Sequence, residues 1–309
     1  MNTTLDRITT TIEGTHSRFS SDEVARAIWT IIAEPGDSAT GELINTLGAA
    51  AALRYVVDGD EPTYKAIDVK IIRDRALPRI SAGAVRTAFQ LAEGNGAILI
   101  TPEHPHWPKG LNDLGCNAPY ALWARGNVAM LTIAAGIAVV GARAATGYGE
   151  HMTMELTAGL VEKGRTIISG AAYGIDGMAH RAALASGGNT IAILAGGVDR
   201  FYPAGHSALL ARIAETGVIL SELSCGQAPT KWRFLMRNRL IAAAAASTLV
   251  VEAGWRSGSL NTAGHAIALG RPVGAVPGPV TSAASEGCHR LIRDFGATLV
   301  TTTDEAANL

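Results

Sequence analysis

Lys231, Arg233, Arg237 and Arg239 set four cations within nine residues with no carboxylate among them, and Phe234 and Asn238 stand in the same segment. On a helix, Phe234, Arg237 and Asn238 share one side by the i, i+3, i+4 rule. That spacing puts a flat ring beside a guanidinium and an amide. Single-stranded nucleic acid is bound by this combination, cations for its backbone and a ring for a base to stack on. The same residues also fit a solvated basic helix face with Phe234 turned into a core.

A second group of residues suits anions. Gly141-Ala142-Arg143, Ser169-Gly170 with the small residues up to Asp176, and Ser257-Gly258-Ser259-Leu260-Asn261-Thr262 each follow a short apolar run. A glycine there lets the chain turn tightly, and the helix that follows offers free N–H groups and a positive dipole end. Arg143 adds a side chain able to grip a phosphate with two hydrogen bonds. Three such loops on one edge make a better anion site than any one of them. Tight strand-to-helix turning alone would also explain the glycines. Asp176 is expected to act as the N-cap of a helix running to Ser186.

Other chemistries find little support. The glycine spacing is not GxGxxG, and no GxxxxGK[ST] occurs, so neither a dinucleotide site nor a P-loop is expected. His180, His265 and His289 form no HxxxH pair for a metal. There is no GxSxG elbow, and Glu222 and Glu252 follow separate strands without an evident partner. No catalytic residue, metal or cofactor is therefore assigned. The three cysteines, Cys116, Cys225 and Cys288, lie far apart and suggest neither a disulfide framework nor a CxxC knuckle.

The elements that must position these groups follow from periodicity. Six β-rich runs, Ile137-Val140, Thr166-Ile168, Thr190-Leu194, Val218-Leu220, Thr248-Val251 and Pro272-Val276, alternate with helix-like stretches. Buried strands joined by crossover helices make a parallel sheet whose post-strand loops share one edge, where such folds bind ligands. Residues 97–135 add a short strand at Ala97-Thr101, a Pro-rich loop at 102–108 that reads as a lid or as packing around Trp107, and an extended piece at Tyr120-Arg125. Helices are expected from Ser20 to the Pro35-Gly36 stop, over Gly41 to Ala52, over Asp68 to Arg75 and over Ser81 to Glu93. The expectation is an α/β protein with a small helical domain over residues 1–95 and a doubly wound, mainly parallel sheet over 96–309.

The chain has 309 residues, 48% of them apolar, and a net charge of −1. It can bury a sizeable core. The charge argues against a protein coated in cations, so a nucleic-acid site must be local. No apolar run is long enough to span a bilayer, and the polar start does not read as a signal peptide, so a cytoplasmic location without membrane contact is expected. The nine residues after Val300 are too few for a further domain.

Taken in order, Val139 to Arg143, Ser169-Gly170 to Asp176 with Ala179-His180, Ala195 to Asp199 with Tyr202-Pro203, Ser221-Glu222, Phe234 to Arg239, Val251 to Ala253 with Ser257 to Ala263, and Val276-Pro277-Gly278 resemble the DNA-processing protein A (DprA, or Smf) family. The resemblance covers about residues 97 to 300. It implies an extended Rossmann-like domain, binding of single-stranded DNA, a homodimer, and loading of a RecA-type recombinase during natural transformation. It makes Arg143 a phosphate ligand, Lys231 a backbone contact and Phe234 a base-stacking ring, with Arg237 and Arg239 lining the same pocket. Ala142, Ala204 and Cys288-His289 depart from the family's usual residues, and no winged-helix-like C-terminal unit is expected. The alternative is a Rossmann-like nucleotide sensor or nucleoside-monophosphate phosphoribohydrolase. Those enzymes continue Pro-Gly with a glycine-rich stretch, which Pro277-Gly278-Pro279 lacks.

Overall fold

The computed structural model describes residues 19–59, 69–132 and 136–309. The polar N-terminal stretch before residue 19 and the expected helix start at Asp68 lie outside them. The first described helix, α1 (Ser21–Ile32), opens with the anticipated cap. Ser20 accepts from the Glu23 N–H while Glu23 accepts from the Ser20 N–H, a reciprocal capping box. The expected helix over Gly41 to Ala52 is instead two, α2 (Ser38–Leu47) and α3 (Ala49–Asp58), because Gly48 between them takes φ +80° and ψ 155°. Two further helices, α4 (Val69–Ala76) and α5 (Ala82–Gly94), complete this region.

Nine strands among the described residues form one sheet. They are β1 (Ile98–Ile100), β2 (Leu122–Gly126), β3 (Gly136–Val140), β4 (Thr166–Ser169), β5 (Thr190–Ile193), β6 (Val218–Ser221), β7 (Ser247–Val250), β8 (Val273–Ala275) and β9 (Thr298–Leu299). Their order is β1-β2-β6-β5-β4-β3-β7-β8-β9. The pairs β1/β2 and β2/β6 are antiparallel and the remainder parallel. All six anticipated parallel strands are present, and the edge strand β9 is an addition.

Alternate strand residues face opposite layers, and both layers are apolar. Ala138, Val140, Ile168 and Ile193 pack with α9 (Lys231–Ala244), α10 (Ser259–Ala268) and α11 (Glu286–Phe295). On the other side Ile137, Val139, Ile167 and Leu249 pack with α6 (Gly147–Glu162), α7 (Ile175–Ala185) and α12 (Thr303–Ala307). The third cluster joins the N-terminal helices to Leu99, Trp123, Ala192 and Ile219 of the sheet and to α8 (Ser207–Thr216). Within it Trp123 Nε1 donates to Thr30 Oγ1 at 3.0 Å, and Tyr120 OH donates to the Asp37 carbonyl at 3.0 Å. The Pro-rich loop packs rather than gates: Trp107 is buried in the core and its Nε1 donates to Asn112 Oδ1 at 2.8 Å.

Candidate nucleic-acid interface

The chain leaves β3 for β4, β5 and β6 in one direction across the sheet, then returns to place β7 on the other side of β3. Loops leaving β3 and β7 therefore diverge and open a crevice at the strand C-terminal edge, the position where doubly wound sheets bind ligands. A cavity of about 530 Å³ occupies it. Its walls are Gly141 to Ala144 after β3, Phe234, Leu235, Arg237 and Asn238 of α9, Trp255 to Ser259 after β7, and Thr262 of α10.

The β3 turn is clamped on both sides. Ala142 N–H donates to the Glu252 carbonyl at 2.7 Å, and Ile175 N–H donates to the Ala142 carbonyl at 3.1 Å. A side chain on Gly141 would begin 2.5 Å from Ile175 Cγ1 and 2.8 Å from the Glu252 carbonyl oxygen, so only glycine passes here. Arg143, next but one, is exposed. The buried Glu252 carboxylate accepts from Thr146 N–H at 2.8 Å and from Thr146 OH at 2.6 Å. Thr146 in turn caps α6 through the Gly149 N–H. Glu252 thus braces the loop.

Arg237 is 4% exposed, and its Nη1 donates to the Ile193 carbonyl at 2.6 Å. Its Nε–H finds no hydrogen-bond partner among the described residues. Leaving a buried donor unpaired costs stability, so Arg237 is held at the wall by its Ile193 contact and by the Asp176 charge rather than by full hydrogen bonding. Burial lowers the Arg237 pKa to about 10, which leaves the guanidinium charged at neutral pH. Gly170 lies directly against it, since a Cβ there would fall 1.7 Å from Nη1.

Ser169 and Gly170 stand behind the wall rather than on it. Ser169 is fully buried and donates its hydroxyl to the Val139 carbonyl at 2.7 Å, and Gly170 N–H donates to Asp176 Oδ2 at 3.2 Å. The structure thus places neither of these expected ligand contacts on the cavity wall. Asp176 is likewise not a helix cap: Gly174 holds that position, and Asp176, in the first turn of α7, turns its carboxylate to the preceding loops. Burial raises its pKa, opposed by the Arg237 charge and by hydrogen bonds from the Gly141, Gly170 and Ala172 N–H groups. One carboxylate thereby ties two of the three loops together.

Phe234 is half-buried, with the Arg143 guanidinium carbon 5.1 Å and that of Arg237 5.9 Å from its ring centroid. Tyr202, half exposed, sets its ring 5.5 Å away at 53°. Asn238 Nδ2 donates to the Gly258 carbonyl at 3.3 Å and to Asn261 Oδ1 at 3.2 Å, fastening α9 to the β7 loop. The Ser257 and Ser259 hydroxyls are 2.7 Å apart at the foot of the cavity.

The cation segment does not form one surface. Arg239 is 2% exposed and meets Glu222 in a two-point pair, Nη1 to Oε1 at 2.7 Å and Nη2 to Oε2 at 2.5 Å. Its Nε donates to the Asn117 carbonyl at 2.9 Å. Two helical steps turn a side chain by about 200°, so Arg239 faces away from Arg237. The expectation that Arg239 lines the pocket is corrected on this ground, and Glu222 has its partner. Arg233 pairs with Glu34 of the N-terminal region, both contacts at 3.1 Å. Lys231 is exposed in the first turn of α9 and is not part of the cavity wall.

Residues outside the expected set of ligand contacts complete the rim. Trp255 and Arg256 are exposed beside the anticipated Ser257 to Thr262 loop, whose position was the available signal. Tyr202 reaches Phe234 from a distant loop that no local pattern connects to it. Among the described residues no cluster of His, Cys, Asp and Glu could hold a metal ion, and no helix is long and apolar enough to cross a membrane. Burial raises the Cys225 and Cys288 thiols to about 12, so neither is a ready nucleophile.

Residues 98–309, which include this sheet and its cavity, match the family of DNA recombination-mediator protein A. The chain belongs to that family. A Mycobacterium tuberculosis (strain ATCC 25618 / H37Rv) relative carrying the DprA name is 53% identical over 228 residues, covering 70% of this chain and 58% of the relative. The chain thus spans little more than half the length of that relative. The X-ray structure of DNA processing protein A from Streptococcus pneumoniae aligns with a TM-score of 0.77 at 30% identity, over 94% of this chain and 98% of that one. DNA processing protein A from Helicobacter pylori, whose structure concerns its single-stranded DNA binding mode, aligns with a TM-score of 0.63 at 28% identity, over 69% of this chain and 94% of that one.

Proposed function

We propose that this chain is a non-catalytic single-stranded DNA-binding protein that shields the strand and hands it to a RecA-type recombinase in homologous recombination or natural transformation. The observation that carries this reading is the pair of guanidinium groups around one ring: Arg143 and Arg237, 5.1 Å and 5.9 Å from the Phe234 centroid at the cavity wall. A ring and two guanidinium groups suit a base and its flanking phosphates. Arg143, Arg237, Arg256 and Lys231 supply phosphate contacts, while Asn238, Ser257, Gly258, Ser259 and Thr262 shape the floor. Gly141, Ser169 and Gly170 hold the wall in place.

The carboxylates near the site support binding without chemistry. Glu252 is committed to Thr146, Glu222 to Arg239, and Asp176 to backbone N–H groups. None is left as a free base beside the cavity. A homodimer acting in the cytoplasm fits the family and belongs to the same proposal. The residue ranges 1–95 and 96–309 are proposed as its helical and DNA-processing units. A gel shift with single-stranded and duplex DNA of matched length, with and without RecA, tests the whole reading. A retarded single-strand complex that is supershifted by RecA is expected, and equal affinity for duplex or failure to recruit RecA would count against it.

A further inference from the structure

We propose that Trp255 and Arg290 form a second stacking platform, which receives a base from the part of the strand leaving the cavity. The inference rests on the single-strand reading above and extends it to the opposite rim.

Trp255 lines the cavity on the β7 side and is 50% exposed. The Arg290 guanidinium carbon stands 4.7 Å from the Trp255 ring centroid and 5.3 Å from that of Phe295, itself half exposed. The approach is built into the backbone. Gly287 N–H donates to the Ala253 carbonyl at 2.7 Å, and a Cβ on Gly287 would lie 2.7 Å from both the Ala253 and Gly254 carbonyl oxygens. Helix α11 can therefore press against the β7 loop, and Arg290, three residues on and on the same helix face, is carried over Trp255.

Charge favours a polynucleotide as the occupant. Arg290 makes no ion pair within 4 Å among the described residues; Asp294, one turn on, is hydrogen-bonded by Arg293 Nε at 2.7 Å and feels the Arg290 charge only at longer range. Arg256, exposed and likewise without an ion pair among the described residues, adjoins Trp255. Ring plus guanidinium is the same pairing that Phe234 and Arg143 present across the cavity. Two such platforms flanking one cavity suit successive bases of a flexible strand, since any base has a face to stack.

Tryptophan fluorescence reads the site directly. Of the five tryptophans, Trp29, Trp107 and Trp123 are buried, whereas Trp232 and Trp255 are exposed. Trp232→Phe thus leaves Trp255 as the exposed reporter. This variant is titrated with oligothymidylates of about four and about sixteen nucleotides at fixed salt. The longer oligomer is expected to quench the reporter and the shorter one to leave it bright. Arg290→Gln, outside the cavity wall, should weaken the longer oligomer about tenfold and leave the shorter one unchanged; Trp255→Ala should weaken the longer oligomer by a similar factor, and Trp255→Phe should restore most of that loss.

An unquenched reporter with unaltered affinities, while Phe234→Ala still weakens both oligomers, would overturn the platform and leave the single-strand reading standing. Failure of the unmodified protein to bind either oligomer would overturn both. A change of sedimentation on Trp255→Ala with no change in DNA affinity would assign the patch to contact between copies of the chain and overturn the platform.

Discussion

The Arg143 guanidinium carbon lies 5.1 Å from the centroid of the Phe234 ring, so the loop after β3 and the first turns of α9 present one joint surface. Neither residue alone defines a binding site. Together they offer a ring whose face is already biased toward a cation and an adjoining phosphate donor. Phe234→Ala should weaken oligothymidylate binding by about 1–3 kcal/mol. Because the ring is only half-buried, the melting temperature should move little, and paired anisotropy and calorimetric measurements separate the two effects.

Phosphate contacts act alike on every sequence. Arg143→Ala and Arg256→Ala should therefore weaken oligomers of different base composition by the same factor. Each should also make the log–log salt slope shallower by about 0.7. Titrations at several salt concentrations give both quantities, and a loss confined to one base composition would point to base reading instead.

Arg239 makes the opposite prediction from Arg143 and Arg256. Its removal leaves Glu222 buried without a partner, so Arg239→Ala should cost about 3–5 kcal/mol in denaturant unfolding. Replacing both partners by apolar residues, Arg239→Met with Glu222→Leu, should recover much of that stability and leave DNA affinity intact. A variant that keeps its stability and loses DNA would instead return Arg239 to the binding surface.

His180 supplies a pH signature. Thr190 donates its hydroxyl to the Ile167 carbonyl at 3.0 Å and stands 2.7 Å from His180 Nδ1, so Nδ1 carries the ring proton. Burial pulls the His180 pKa from 6.5 down to about 3, with the His206 and Arg237 charges acting in the same direction. Between those values the unfolded chain binds a proton that the folded one refuses. The stability from neutral His180 is thus complete above pH 6.5 and is lost as pH falls toward 3, with a slope of up to about 1.4 kcal/mol per pH unit. His180→Gln should flatten this slope in unfolding curves recorded across that range. Asp176, with its raised pKa, contributes a slope of opposite sign in both proteins and cancels in the comparison.

The strands were readable because each is a short apolar run stopped by glycine or serine, a local signal that tertiary packing did not override. The cavity edge followed from their alternation with helices. What the sequence withheld was direction and distance. A linear view groups Arg233, Arg237 and Arg239, yet a turn of about 100° per residue sends them to different neighbours. Two of those neighbours are Glu34, 199 positions away, and Glu222, 17 away. Asp176 read as a cap because short acidic residues favour that position, but it collects N–H groups from two preceding loops instead. Gly48 divided an expected helix because its backbone is not helical.

The most direct test of the account is equilibrium binding of a fluorescent oligothymidylate as salt is raised. Four cations remain to meet phosphates, Arg143, Arg237, Arg256 and Lys231, and they predict a log–log slope of about −3. Undetectable binding, or binding indifferent to salt, would contradict it.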